Sequence, residues 1–320
     1  MTRLSAWLLA GCLLAAALSV VAGKIWVPIE LWGSADPRAI IIAELRLPRT
    51  VLALAIGAAL GMAGAVMQGY LRNPLADPGL FGVSAGAALG AVLSFYFGYA
   101  AQAWLLPGFA LAGAAATMAL LALVAGRSGS LILFTLAGMI LTSIAGSMTA
   151  LAISLAPTPF VESEIVTWLM GALTDRSWDD VRLALPLIAV GMAVLATTAR
   201  ALDALTLGET AARSLGVDPA RLQWLVIVGT ALTVGASVAA AGVIGFVGLM
   251  VPHLVRPLAG GKPSAVLLPS ALGGALLLTV ADSLVRLAPT VSELRLGIAM
   301  SMLGGPFFLW LLLRMRRGLA

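Results

Sequence analysis

Residues 50–70 read TVLALAIGAALGMAGAVMQGY, twenty-one consecutive positions without a charge. At a helical rise of about 1.5 Å per residue, a run of that length matches the roughly 30 Å hydrocarbon core of a bilayer. Strand-like alternation is absent, so the run reads as a membrane-spanning helix and not as a barrel strand.

Similar runs recur on both sides of it, at about 4–22, 79–97, 104–125, 131–155, 184–199, 222–241, 243–258, 266–285 and 294–313, which makes ten spans. The whole chain agrees. Of its 320 residues 61% are hydrophobic and 10% are charged, against about 45–50% and about 25% in a soluble domain. A water-soluble body of this size has too little interior to hide so much apolar surface. A soluble enzyme, a secreted disulfide scaffold and a disordered tail are excluded. The first run follows Arg3 and reads as a retained helix, because Ala22-Gly23 is a poor signal-peptide cleavage site. Cys12 is the single cysteine, so no internal disulfide forms.

Ten spans put both ends on one side. With the N-terminus inside, the formal charge of +5 divides into +7 on the inner loops and −2 on the outer ones. Inner loops carry the Lys and Arg excess in membrane proteins, so both termini are expected in the cytoplasm. The positive balance then reports orientation, not nucleic-acid binding. The outer segment 156–183 holds a short amphipathic stretch, Val166–Met170, and the acids Asp175, Asp179 and Asp180. The inner segment 200–221 reads as two short helices around Gly208 and Gly216, with Asp218-Pro219 opening the next span. Gly57, Gly61 and Gly64, and then Gly82, Gly86 and Gly90, form rows of small residues that let helix backbones approach in lipid.

Catalytic constellations are missing. His253 is the one histidine, so neither a histidine-rich metal site nor a Ser-His-Asp triad assembles within the chain. The Gly-Lys pairs at 23–24 and 261–262 precede Ile25 and Pro263, not Ser or Thr, so there is no phosphate-binding loop. Ionisable groups are sparse at the span centres, which opposes an ion-coupled secondary carrier. The lack of reactive groups opposes an intramembrane enzyme. A non-enzymatic translocator driven by a partner fits better. His253, beside Pro252, reads as a helix-end residue before a ligand. The polar loop 206–217 is either a solvated connector or a docking helix for a peripheral protein.

Several segments together resemble one family. They are Leu45-Arg46-Leu47-Pro48-Arg49, the run from Gly64 to Gly69, and Arg72-Asn73-Pro74-Leu75-Ala76-Asp77-Pro78-Gly79. The loop Leu207-Gly208-Glu209 to Leu215-Gly216, the segment Val251-Pro252-His253, and Gly304-Gly305-Pro306 complete the set. From about residue 40 onward the chain resembles the FecCD-type permeases of type II ABC (ATP-binding-cassette) importers. That family takes up ferric siderophores, haem and cobalamin. The resemblance implies an all-α integral membrane fold of ten transmembrane helices with both termini cytoplasmic, built as one permease domain over 1–320. It implies an inner-membrane location and a second permease subunit, most simply a homodimer. Two ATPase subunits would hold ATP and magnesium, and a periplasmic substrate-binding protein would deliver the substrate. The chain itself would need no cofactor. Ferric siderophore is the first expectation for the substrate, with haem and cobalamin as alternatives.

By the same resemblance, Arg46, Arg49 and Arg286 lie at the outer face and pair with carboxylates of the binding protein, as the bidentate geometry of arginine allows. The alternatives are lipid headgroups, or pairing inside the chain with Glu44 or Asp282. Leu207, Gly208, Glu209, Arg213, Leu215 and Gly216 would form the coupling helices that sit on the ATPase. Asn73, Leu75, Ser130 and Leu131, with Gly129 before them, would belong to the gates. Thr142, Ser143, Ser147 and Thr149 would line a weakly polar pore, unless those hydroxyls serve helix–helix hydrogen bonds. One departure is Glu293-Leu294-Arg295, where family members often have Glu-Leu-Pro. Arg295 adds a positive charge at the outer mouth.

Overall fold

The computed structural model describes residues 3–34, 36–102, 104–126, 130–290 and 292–317. Among these residues every regular element is helical. Eight helices among the described residues are long and apolar enough to cross a membrane. They are α1 (Arg3–Val21), α3 (Leu47–Tyr70), α5 (Leu105–Ala125), α6 (Leu131–Ser154), α8 (Trp178–Thr197), α11 (Pro219–Ala241), α13 (Pro263–Leu287) and α14 (Leu296–Arg317). Between them lie shorter pieces: α2 (Pro37–Ile40), α4 (Val83–Tyr96), α7 (Pro159–Leu169), α9 (Ala199–Leu205), α10 (Glu209–Ser214) and α12 (Val247–Val255). A π-helical stretch, Ile41–Arg46, joins α2 to α3.

Two of the ten expected spans are shorter than their hydropathy suggests. The run at 79–97 becomes helical only at Val83, because Gly82 turns the chain at φ +86° and Pro78–Phe81 is a 3-10 turn. The run at 243–258 keeps only the nine residues Val247–Val255, since Gly242 (φ +71°) and Phe246 (φ +67°) hold the chain out of helix. Both lengths fall short of the roughly 20 residues a bilayer crossing takes. The run at 184–199 errs the other way. Its helix starts at Trp178, where Ser177 and Asp180 form a capping box, so two of the acids assigned to a loop sit in the first helical turn. That is the favourable end of the helix dipole for them.

Helix α3 is the centre, buried along most of its length. Its glycine row explains why. A Cβ at Gly57 would overlap the backbone of Gly274 on α13, one at Gly61 the Ser270 carbonyl, and one at Gly64 the Gly248 carbonyl on α12. The second row works between α4 and α5: Gly86 faces Gly113 and Thr117, and Gly90 faces the Phe109 carbonyl. Without a hydrophobic drive between helices in lipid, such backbone contacts are the main source of specificity. Helices α1 and α6 are the periphery, each with only a few buried residues.

Candidate functional site

The helix ends gather into two rims. At the first, α1 and α13 end while α3 and α14 begin. Asp282 on α13 is fully buried and accepts from Arg49 Nε at 3.0–3.1 Å and from Arg49 Nη2 at 2.7 Å. It also pairs with Arg286, one helical turn on, at 3.2 Å. Glu293, from the loop before α14, closes on Arg49 from the other side. Burial pushes the Glu293 carboxyl up, but the Arg49 guanidinium more than reverses this and holds it below the ordinary glutamate range. Arg286 donates to Ser19 Oγ, which shares a 2.9 Å hydrogen bond with Thr50. Arg46 donates to the carbonyls of Val20 (3.2 Å), Val21 (2.7 Å) and Ile25. It thereby satisfies orphan carbonyls at the α1 C-terminus. Gly23 leaves the space that its guanidinium fills.

All three arginines are thus 6–8% exposed and committed within the chain. Asp282 is the partner that the geometry holds for both Arg49 and Arg286. Glu44 is exposed instead. An open pocket of about 320 Å³ still reaches Arg46, Arg49, Arg286 and Glu293 from outside, with Lys24 and Arg176 on its wall. Arg295 stands on the wall of the neighbouring pocket, beside Glu164 and Trp168.

At the second rim, α9 and α10 form the two short helices expected between 200 and 221. Leu202 is fully buried and Leu205 and Ala212 nearly so, which pins the pair to the bundle. Asp203 caps the start of α13 by accepting from Ser264 N at 2.9 Å and Ser264 Oγ at 2.6 Å. Gly208 (φ +98°) and Gly216 (φ +86°) make the turns on either side of α10, a conformation that glycine reaches without strain. Leu207 and Leu215, next to those turns, are 67% and 65% exposed. They flank a groove of about 1020 Å³ whose wall also carries Arg200, Arg221 and Lys262. Arg213 lies in the last turn of α10. His253 lies in the last turn of α12, with its ring edge-on to Phe307 at 6.0 Å.

The segment between α3 and α4 folds back into the bundle. Asn73 Oδ1 accepts from Leu75 N at 3.0 Å, and Asp77 Oδ1 from Gly79 N at 2.8 Å. Leu75 is half-buried. Pro78 reaches Gly248, and Asp77 lines a cavity of about 250 Å³ with Ser84, Leu60 and Val234. The spans at 50–70 and 79–97 place Asp77 in an inner loop. The Asp-Pro-Gly turn signal was visible, but nothing in it gives the depth to which the turn is drawn.

This turn touches α6. Phe81 stacks on Phe134 with ring centroids 5.4 Å apart and packs on Gly138. Thr142 Oγ1 lies 3.0 Å from the Leu80 carbonyl and 2.9 Å from that of Gly138, so this hydroxyl serves internal bonding. Ser130 caps α6 through Leu133 N, and Leu131 is half-buried. Gly129 lies outside the described residues. Ser143 and Ser147 are exposed one turn apart on α6, and Thr149 is half-buried.

The family model of the FecCD transport family matches residues 10–314. Curated relatives include the vitamin B12 import system permease protein BtuC of Citrobacter koseri, 40% identical over 307 residues, which are 95% of this chain and 92% of that one. The protein of the same name from Salmonella typhimurium is also 40% identical, over 95% of this chain and 93% of its own. Among solved structures, an inward-facing conformation assigned to a metal-chelate type ABC transporter superposes with a TM-score of 0.89. It shares 31% sequence identity, over 98% of this chain and 99% of that one.

Proposed function

The chain belongs to the FecCD transport family, and from that premise we propose that it works as one of two like permease subunits whose shared interface carries a metal chelate into the cell. It is a multi-pass inner-membrane permease of an ABC importer. Counting α4 and α12 as short spans beside the eight long ones makes ten crossings, with both termini cytoplasmic and one permease domain over 1–320. Two separate ATPase chains bind ATP and magnesium, and a periplasmic binding protein delivers the substrate. No cofactor resides in this chain. Cobalamin is the chelate we favour, because the curated relatives named for vitamin B12 import match nearly the whole chain. Ferric siderophore and haem are the competitors. Asp77, drawn into the bundle, weakens the sequence argument against an ion-coupled carrier, and family membership replaces it.

The observation that carries the reading is the second rim. Two large apolar side chains stand in water beside a partly basic groove, on short helices anchored from beneath. Exposed apolar anchors with charged surroundings are what a protein-docking surface presents. Leu207→Asp with Leu215→Asp is expected to abolish co-purification with the ATPase chain and to stop uptake of labelled cyanocobalamin, while the permease still inserts and folds. Undiminished co-purification of the double variant would overturn the docking surface.

A further inference from the structure

Glu209 opens α10, the helix proposed to meet the ATPase, yet its side chain turns towards its own subunit. Its carboxylate lies 3.3 Å from Arg72 Nη2, and both side chains are a little over two-fifths exposed. Arg72 is the first residue of the segment that carries Asn73 and Leu75. It sits at φ +51°, a left-handed conformation that non-glycine residues seldom adopt. The segment beyond it is stiff. Asn73 N donates to the Gln68 carbonyl at 3.1 Å, Asn73 and Asp77 each cap a backbone N–H, and Pro78 wedges against Gly248. Its far end, Leu80-Phe81, grips α6 through Thr142, Phe134 and Gly138. A displacement of α10 therefore has a direct route to the gate segment through this ion pair, and the segment has little internal slack to absorb it.

We propose that the Arg72–Glu209 pair is the strut that carries movement of the ATPase-docking helix to the 72–81 segment and from there to α6. Glu209 is then a positioning residue inside the permease, and not a contact to the ATPase. An exposed pair contributes little to stability, so its importance lies in where it connects. The proposal rests on reading α9–α10 as the ATPase-docking surface and Leu75 as part of a gate.

The test uses the whole transporter in vesicles, with Leu75→Cys as a reporter. Cys12, the native thiol, is buried. Maleimide labelling of the reporter is compared without nucleotide and with ATP trapped by vanadate, alongside co-purification of the ATPase. With the strut intact, trapping changes the labelling rate. In Arg72→Glu or Glu209→Arg alone, the ATPase stays bound and the nucleotide-dependent change shrinks by roughly two- to fivefold, the range an exposed ion pair spans. The charge-swapped double variant restores it. Three results overturn the strut: an undiminished change in both single variants, loss of ATPase binding in Glu209→Arg, or a double variant no better than the singles. If the parent binds the ATPase but shows no nucleotide-dependent labelling, the gate reading fails and takes the strut with it. If the parent binds no ATPase, the docking reading itself is wrong.

Discussion

Asp282 is the residue whose removal the fold should feel most. It is the shared partner of two nearly buried arginines, and taking one member from a buried ion pair leaves uncompensated charge. Asp282→Ala is expected to cost about 3–5 kcal/mol, read as a large fall in thermal stability in detergent with Arg49 and Arg286 left in place. A melting temperature equal to the parent's would show the cluster to be solvated and the pairing weak. The sequence made the arginines conspicuous, at a proline-marked helix start and near a helix end. It left their partners open, because Arg49 and Asp282 are 233 positions apart and only packing of α3 on α13 brings them together. Arg46 shows the same limit. Its partners are carbonyls freed by the end of α1, and a backbone acceptor leaves no mark in a sequence.

Elements were legible where spacing alone forms them. The glycine rows stood out as packing faces, and each found a backbone opposite. Gly64→Ala should therefore force α3 from α12, with an overpacking cost of about 1–3 kcal/mol visible as lower melting temperature and reduced yield of folded protein. Gly146→Ala on α6 is the matching control, since open space surrounds that position, and it should not lower stability, alanine being the better helix former. Equal effects of the two would remove the backbone contact as the explanation. What spacing did not reveal is where a helix stops. The segment before α12 is apolar and hydropathy runs through it, yet Phe246 sits at φ +67° with its ring over Gly304. That contact comes from α14, nearly sixty residues later, so Gly242 marks the end of α11 locally but nothing nearby announces how late α12 begins. The two short helices around Gly208 and Gly216 are legible in the sequence, because there the turn chemistry is local.

At the scale of the molecule, the hydropathy pattern announced the membrane and the family motifs announced the transporter, but the sidedness of α6 needed coordinates. Ser143 and Ser147 share an exposed face, whereas Ala145 between them is 5% exposed. In a two-copy transporter, Ser143→Cys and Ser147→Cys should react with a membrane-impermeant maleimide and Ala145→Cys should not. Labelling of none of the three would place α6 against lipid or packed protein, away from the path. The glycine seams bear on how such a machine moves. Where backbone lies directly on backbone there are no side chains to rotate, and sliding one helix past another meets peptide groups head-on. Helices α3, α12 and α13 are then expected to move or stay as one block. Helix α6 meets the 78–81 turn where Phe81 packs on Phe134 and Gly138 and where Thr142 donates to the Leu80 carbonyl, so any movement of that turn is expected to enter α6 through its first half.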